Sequence, residues 1–209
     1  IAGGTDLVGC LVFGNLFSNV YMGEIQGQSL GIHVDIFDDS GESVESKGEL
    51  VVRKPFPSMP IKFWDDISGK KYYDAYFSKY NNIWHHGDFI EQTKNKGFII
   101  KGRSDATLNP GGVRIGTAEI YQQVENINFI TEGLVVGQNF KNDVRIILFV
   151  TTKNNEELDE KKIDLIKTKI RKNCSPKHVP FKIIKTPEIP RTKSGKIVEL
   201  AVRKIINGK

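Results

Sequence analysis

The 209-residue sequence has only two cysteines, Cys10 and Cys174, and neither belongs to a CxxC spacing. A disulfide framework and a structural zinc site are therefore disfavoured, and a reducing compartment is expected. Histidine is nearly as scarce, with four residues. The adjacent pair His85-His86 stands close to Asp88 but has no third histidine near it. Neighbouring side chains point apart on any regular backbone, so the pair makes a poor metal-ligand set. No apolar run reaches the roughly 20 residues that span a bilayer, so membrane insertion is not expected. The apolar opening, residues 1–17, is broken by Asp6 and has no basic segment before it, unlike a signal peptide. Internal repeats and low-complexity tracts are also missing.

What is present is ordinary globular material: 39% hydrophobic and 26% charged residues, enough for one or two domains with real cores. The charge is uneven. Residues 160–209 carry 15 Lys+Arg against 4 Asp+Glu, whereas residues 1–159 carry 15 against 21, so the two parts stand at +11 and −6. The basic end must face solvent or an anionic partner. A nucleic-acid-binding module is one class that such a balance suggests. Against it, the aromatics cluster at residues 72–89, remote from the basic run instead of interleaved with it as stacking platforms are.

The chain is organised around Gly102-Arg103-Ser104-Asp105, which leads into Asn109-Pro110-Gly111-Gly112-Val113-Arg114. Proline and glycine exclude regular helix or central strand there, so an ordered loop and a hinge between two folding units are expected. Before it, residues 7–13, 33–38, 48–52, 84–90 and 97–101 read as strands of a β-rich unit. Aromatics at 72, 73, 76, 77 and 80 have the spacing of one helical face. After it come a helix at 117–124 capped by Thr117, strands at 133–136 and 144–150, a helix at 159–173, a strand at 181–184 and a helix at 199–206. The expected class is α+β.

Three short motifs carry chemistry. In Ala2-Gly3-Gly4-Thr5-Asp6 the glycines let backbone approach a phosphate, the threonine can donate to it, and the carboxylate can hold Mg²⁺, although a Gly-Gly turn needs no ligand to exist. The ionised carboxylate of Gly87-Asp88 suits the acceptance of hydrogen bonds from vicinal hydroxyls. Pro190-Arg191-Thr192-Lys193-Ser194-Gly195-Lys196-Ile197 is not a Walker loop, because Pro190 and Ile197 stand where glycine and Ser/Thr are required. Its Lys196 can still present an ammonium to an anionic oxygen.

Taken together, Gly3-Gly4-Thr5-Asp6, His86-Gly87-Asp88, Gly102-Arg103-Ser104-Asp105, Gly111-Gly112-Val113-Arg114 and the Pro190–Lys196 run resemble the adenylate-forming acyl-CoA synthetases. Five motifs in order make the resemblance specific, and it covers the whole chain. Phe56-Pro57-Ser58-Met59-Pro60, Phe63-Trp64, Ala75-Tyr76-Phe77 and Trp84 are similar to the branch of that family that activates acetoacetate. The resemblance implies that residues 1–103 end the large amino-terminal domain and that residues 104–209 form the hinge and a mobile carboxyl-terminal domain. It implies ATP, Mg²⁺ and coenzyme A as cofactors and small-molecule substrates as partners. Lys196 would be catalytic. Gly4, Thr5, Asp6, Asp88, Arg103 and Arg114 would bind the nucleotide, with Asp6 also serving the metal. Asp105 would be the hinge, and Gly111, Gly112 and Arg171 would meet coenzyme A.

The sequence departs from the family pattern at Ala2, where an adenine-stacking aromatic is common, at Ala106, and at Tyr121, which replaces a frequent acid. It opens on Ile1, inside a motif. It is therefore expected to need an upstream part, holding the phosphate loop and most of the acyl pocket, and to be inactive alone. A ligase for another short carboxylic acid and a non-catalytic fragment remain as alternatives.

Overall fold

Alternation along the strands decides where each sheet goes, and in this chain it yields three sheets. The computed structural model describes residues 1–209, the Asn155 side chain excepted. It divides into two units, Ile1–Lys101 and Gly102–Lys209.

In the first unit, β1 (Ala2–Gly4), β2 (Gly9–Phe13) and β3 (Gly27–Gln28) form a small antiparallel sheet in that order. A second sheet runs β4 (Val34–Phe37), β5 (Lys47–Val52), β6 (Trp84–Gln92) and β7 (Phe98–Arg103). The Asp38-Asp39-Ser40-Gly41 turn between β4 and β5 closes because Asp38 Oδ1 accepts from the Ser40 and Glu42 amides at 2.9 and 3.0 Å. Trp84 is the largest fully buried side chain of the unit. Phe56, Tyr72, Tyr76 and Phe77 all place rings against it.

Helix α1 spans Lys70–Tyr76, which begins and ends earlier than the aromatic spacing predicts. The start is set by Asp66, a buried carboxylate that accepts from the Lys71 and Tyr72 amides at 3.2 and 2.9 Å. The end precedes a turn at Asn82, whose φ of 57° is tolerable for asparagine. Phe77 and Tyr80 still pack, on Trp84 and Phe37, but from outside the helix.

In the second unit the sheet order is β10-β9-β8, built from β8 (Ile130–Phe140), β9 (Asp143–Thr152) and β10 (Lys182–Lys185). β8 pairs antiparallel and β10 parallel with β9. The parallel pair needs a crossover, supplied by α3 (Glu160–Asn173). Helix α3 starts where Asp159 accepts from the Lys162 amide at 2.8 Å and ends with Arg171 and Lys172 in its last turn, both complementing the helix dipole.

Both faces of this sheet are covered. Val135, Ile146, Leu148, Val150 and Ile183 point to one side, where Ile120 and Val124 of α2 (Thr117–Glu125) and Ile166 and Ile170 of α3 complete a core. Leu134, Val136, Ile147, Phe149 and Ile184 point to the other, under Val202 and Ile206 of α4 (Glu199–Ile206). That explains the unbroken apolar run Ile146-Ile147-Leu148-Phe149-Val150: a central strand covered on both faces has no polar side.

One cap differs from expectation. Gly116, not Thr117, occupies the N-cap of α2; Thr117 is buried as the first helical residue. The Glu119 carboxylate reaches back to accept from the Gly116 amide at 3.1 Å.

Leu148 is fully buried whereas Leu165 is 50% exposed. Leu148→Ala should therefore lower stability by roughly 2–5 kcal/mol and Leu165→Ala by less than about 0.5 kcal/mol. Denaturant titration compares the two, and equal effects would contradict the two-faced core.

Candidate functional site

The residues singled out from the sequence fall on both units. In the first, Thr5 and Asp6 are exposed on the turn joining β1 to β2. The turn is closed by Val8 N–H donating to Thr5 O at 3.1 Å and is pinned from below by the fully buried Leu7. Gly4 is needed for space: a Cβ there would come within 3.1 Å of the His86 ring. A backbone stripped of side chain is what close approach of a phosphate requires.

Strand alternation sends the two histidines to opposite faces. His85 Nε2 meets the fully buried carboxylate of Glu49 at 3.0 Å, which Lys79 also binds at 2.8 Å. His86 turns toward Gly4, its Nδ1 accepting from the Trp84 indole at 3.4 Å. That bond leaves the proton on Nε2, which lies 3.6 Å from Asp88 Oδ2. Asp88 itself is half-buried on β6.

Tyr76 completes the group. Its hydroxyl donates to Asp6 Oδ2 at 2.5 Å while its ring stacks on Trp84, centroids 3.6 Å apart and planes 13° off parallel. Gly4, Asp6 and Asp88 are thus joined through Tyr76, Trp84 and His86. Neither Tyr76 nor His86 was singled out from the sequence as part of a nucleotide site. Tyr76 was hidden in an aromatic stripe that reads as core, and its partner lies 70 residues away.

In the second unit, Arg103 closes β7, with Nε 3.6 Å from Asp105 Oδ1. Asp105 sits in the 3-10 turn Ser104–Ala106, and its carbonyl accepts from Arg203 at 2.7 Å. The loop that follows is drawn shut by mutual backbone bonds of 2.9 Å between Leu108 and Ile115, both buried. Gly111 and Gly112 have φ of 57° and 76°, the left-handed region that glycine enters without strain. The Gly111 amide donates to Asp143 Oδ1 at 2.7 Å, a bond that holds the Asp143 carboxyl below the usual aspartate range. The Lys177 ammonium fills the space beside Gly111, where a Cβ would lie only 2.3 Å from it. Arg114 is half-buried just before Ile115. Arg171 is exposed on the last turn of α3, with no hydrogen bond or ion pair among the described residues.

Lys196 closes the five-residue turn 192–196. Thr192 N–H donates to Lys196 O at 2.8 Å and Gly195 N–H to Thr192 O at 2.9 Å, with Gly195 at φ 84°. Arg191 clamps the base, donating to Gly195 O at 2.6 Å and pairing with Glu132. The Lys196 side chain is exposed and has no ion pair among the described residues. A rigid turn therefore presents a solvent-facing ammonium, as the Ser-Gly-Lys spacing suggests.

A single acid, Asp6, stands at the candidate phosphate turn, and among the described residues no group of three or more His, Cys, Asp or Glu could hold a metal ion. Mg²⁺ is compatible with that, because it binds through one or two carboxylates together with substrate phosphates. Among the described residues no helix is long and apolar enough to cross a membrane.

No protein-family model matches the chain. Individual proteins do: the acetoacetyl-coenzyme A synthetase of Rhizobium meliloti is 55% identical over 210 residues that cover all of this chain. The chain is a homologue of the acetoacetyl-CoA synthetases. The acetoacetyl-CoA synthetase of Xenopus tropicalis is 43% identical over 212 residues, again covering the whole chain. In both comparisons the chain spans 32% of the relative's length, about a third. Among solved structures, acetoacetyl-CoA synthetase from Streptomyces lividans matches 97% of this chain, and 31% of its own, with a TM-score of 0.90 at 42% identity. An anthranilate CoA ligase solved with anthranoyl-AMP matches 98% of this chain and 39% of its own at a TM-score of 0.83 and 19% identity, which shows a shared fold. The mixed α+β fold is that of the CoA ligases, over the part the chain represents.

The Gly111–Asp143 bond has a pH consequence. Because Asp143 is held below its ordinary range, the anchor is complete above that range and is lost as pH falls through the lowered value. The Gly111 amide resonance should therefore move only in acid, below the ordinary aspartate range, and Asp143→Asn should remove the titration. A Gly111 shift that titrates at higher pH would show that another group controls the loop.

Proposed function

We propose that this chain is the carboxyl-terminal third of an ATP-dependent acetoacetate–CoA ligase that acts in the cytoplasm through an acyl-adenylate. What carries the proposal is identity of 55% over the whole chain with an acetoacetyl-coenzyme A synthetase, joined to an exposed Lys196 on a rigid turn. In this view residues 1–103 end the large domain and residues 104–209 form the hinge and the mobile domain. The stretch alone is inactive, since the phosphate loop and acyl pocket belong to the upstream part.

A carboxylate is a poor acyl donor, and it meets an anionic polyphosphate only if charge is neutralised. An acetoacetate oxygen attacks the α-phosphorus of ATP; the bond from that phosphorus to the bridging oxygen breaks and pyrophosphate departs. Lys196 places a point charge where both anions converge, and such preorganised charge is often worth 10²–10³ in rate. Gly4 and Thr5 offer the phosphates an unobstructed backbone and a hydroxyl. Asp6, oriented by Tyr76, would hold Mg²⁺, which when bound would spread charge over the phosphate oxygens. Asp88, backed by His86, accepts from the ribose hydroxyls, and Arg103 and Arg114 assist in binding the nucleotide.

In the second step the coenzyme A sulfur attacks the acyl carbonyl, AMP leaves with its oxygen, and the thiol proton passes to solvent. Asp105 is the pivot that exchanges one surface of the mobile domain for the other. Gly112, at which a Cβ would meet nothing within 4 Å, leaves the approach to the thiol arm open, Gly111 adjoins it with the Lys177 ammonium alongside, and Arg171 meets a coenzyme A phosphate.

In the full-length protein, Lys196→Ala should lower acetoacetate-dependent ATP–pyrophosphate exchange by at least about 10²-fold. It should leave thioester formation from supplied acetoacetyl-adenylate nearly intact. Equal loss of both half-reactions would remove the role given to Lys196. Exchange driven more strongly by acetate, butyrate or 3-hydroxybutyrate than by acetoacetate would move the substrate assignment to another short acid. Exchange with none of them would remove the adenylation chemistry.

A further inference from the structure

Glu199 follows Lys196 by three residues and opens α4. Its carboxylate accepts a hydrogen bond from the Tyr121 hydroxyl of α2 and is also bonded by Thr117. The Tyr121 oxygen accepts in turn from the Val135 amide of β8 at 3.1 Å. The phenol is therefore held from both sides. One turn further along α4, Arg203 donates to the Asp105 carbonyl at 2.7 Å. The first turns of α4 are thus tied to α2, to the central sheet and to the Ser104–Ala106 turn at once.

The Lys196 turn grows out of the same point. Its stem pairs Arg191 with Ile197, and Val198 N–H donates to Pro190 O at 3.2 Å, immediately before Glu199. Ile189 and Ile197 hold the stem to the sheet through apolar contact. Apolar contact has no direction, however, and allows sliding, whereas a hydrogen bond specifies an orientation. Burial above all, then the charge of Asp105, raises the Glu199 carboxyl above the usual range. A carboxylate kept in such a place is costly unless its bonds are made. The departure at residue 121 also acquires a reason. An acid there would set two carboxylates against each other, whereas the phenol donates.

We propose that Tyr121 and Glu199 are positioning residues for Lys196: their hydrogen bond fixes the base of the 190–198 hairpin against α2 and the Ser104–Ala106 turn. The proposal rests on the catalytic role given to Lys196 above. Because neither side chain need touch substrate, their loss lowers the rate of adenylation and leaves substrate affinity alone.

The test uses the full-length protein with Tyr121→Phe, Glu199→Gln, the double variant, and Lys196→Ala as reference. Each single variant should slow acetoacetate-dependent ATP–pyrophosphate exchange by about tenfold at saturating substrate, the size of one lost bond to a charged group, with KM unchanged. The double variant should lose no more than the larger of the two single losses, since both act on the same bond. Thioester formation from supplied adenylate should stay within about twofold of the parent. Hydrogen–deuterium exchange should accelerate over residues 190–198, a change that general loss of stability would spread across the sheet as well. If Tyr121→Phe fails to fold, Glu199→Gln, which keeps the shape but removes the charge that strengthens the Tyr121 bond, decides by the same readouts. Parallel loss of both half-reactions, additive losses, or unchanged exchange where Lys196→Ala is inactive would overturn the positioning role. Full exchange activity in Lys196→Ala would instead remove the catalytic role of Lys196, and the positioning role with it.

Discussion

Strand β9 is the constraint on which the second unit depends. Its residues are apolar on both faces, so helices must cover the sheet twice, α2 and α3 on one side and α4 on the other. The same strand begins at Asp143, whose carboxylate anchors the Gly111 amide. Its apolar side chains, through Ile147 and Phe149, support the cluster that holds Ile189 and Ile197 beside the Lys196 turn. Two short loops, distant in sequence, therefore inherit their positions from one buried strand. Hydrophobic burial supplies the placement, and a few directed hydrogen bonds supply the orientation.

The first unit solves a similar problem with aromatic rings. Trp84 is sandwiched among Phe56, Tyr72, Tyr76 and Phe77, and that packing carries the Tyr76 hydroxyl to Asp6 and the indole N–H to His86. An aromatic core with polar tips can thus orient two carboxylates without placing any charge in its interior. Two carboxylates are buried nonetheless: Glu49, satisfied by Lys79 and His85 together, and Asp66, satisfied by the Lys71 and Tyr72 amides.

Much of this was legible in the residues. Pro110-Gly111-Gly112 announced an irregular loop because proline and glycine leave few alternatives, and the strand alternation of His85 and His86 followed from the period of two. The Lys196 turn was marked by Ser194-Gly195. Local rules failed where a distant residue decided the outcome. Asp66 moved the start of α1, because a buried carboxylate satisfies amides that the aromatic period says nothing about. Thr117 gave up its capping role because its hydroxyl is taken by Glu199. The Tyr121–Glu199 bond spans 78 residues and leaves no trace in any window of sequence.

The glycine pair and the lysine turn are supported from opposite faces of a single three-stranded sheet: Leu108 and Ile115 enter the core beneath α2 and α3, whereas Ile189 and Ile197 enter the one beneath α4. Each loop therefore depends on a different layer of helix, so repacking one face of the sheet would disturb one loop and spare the other.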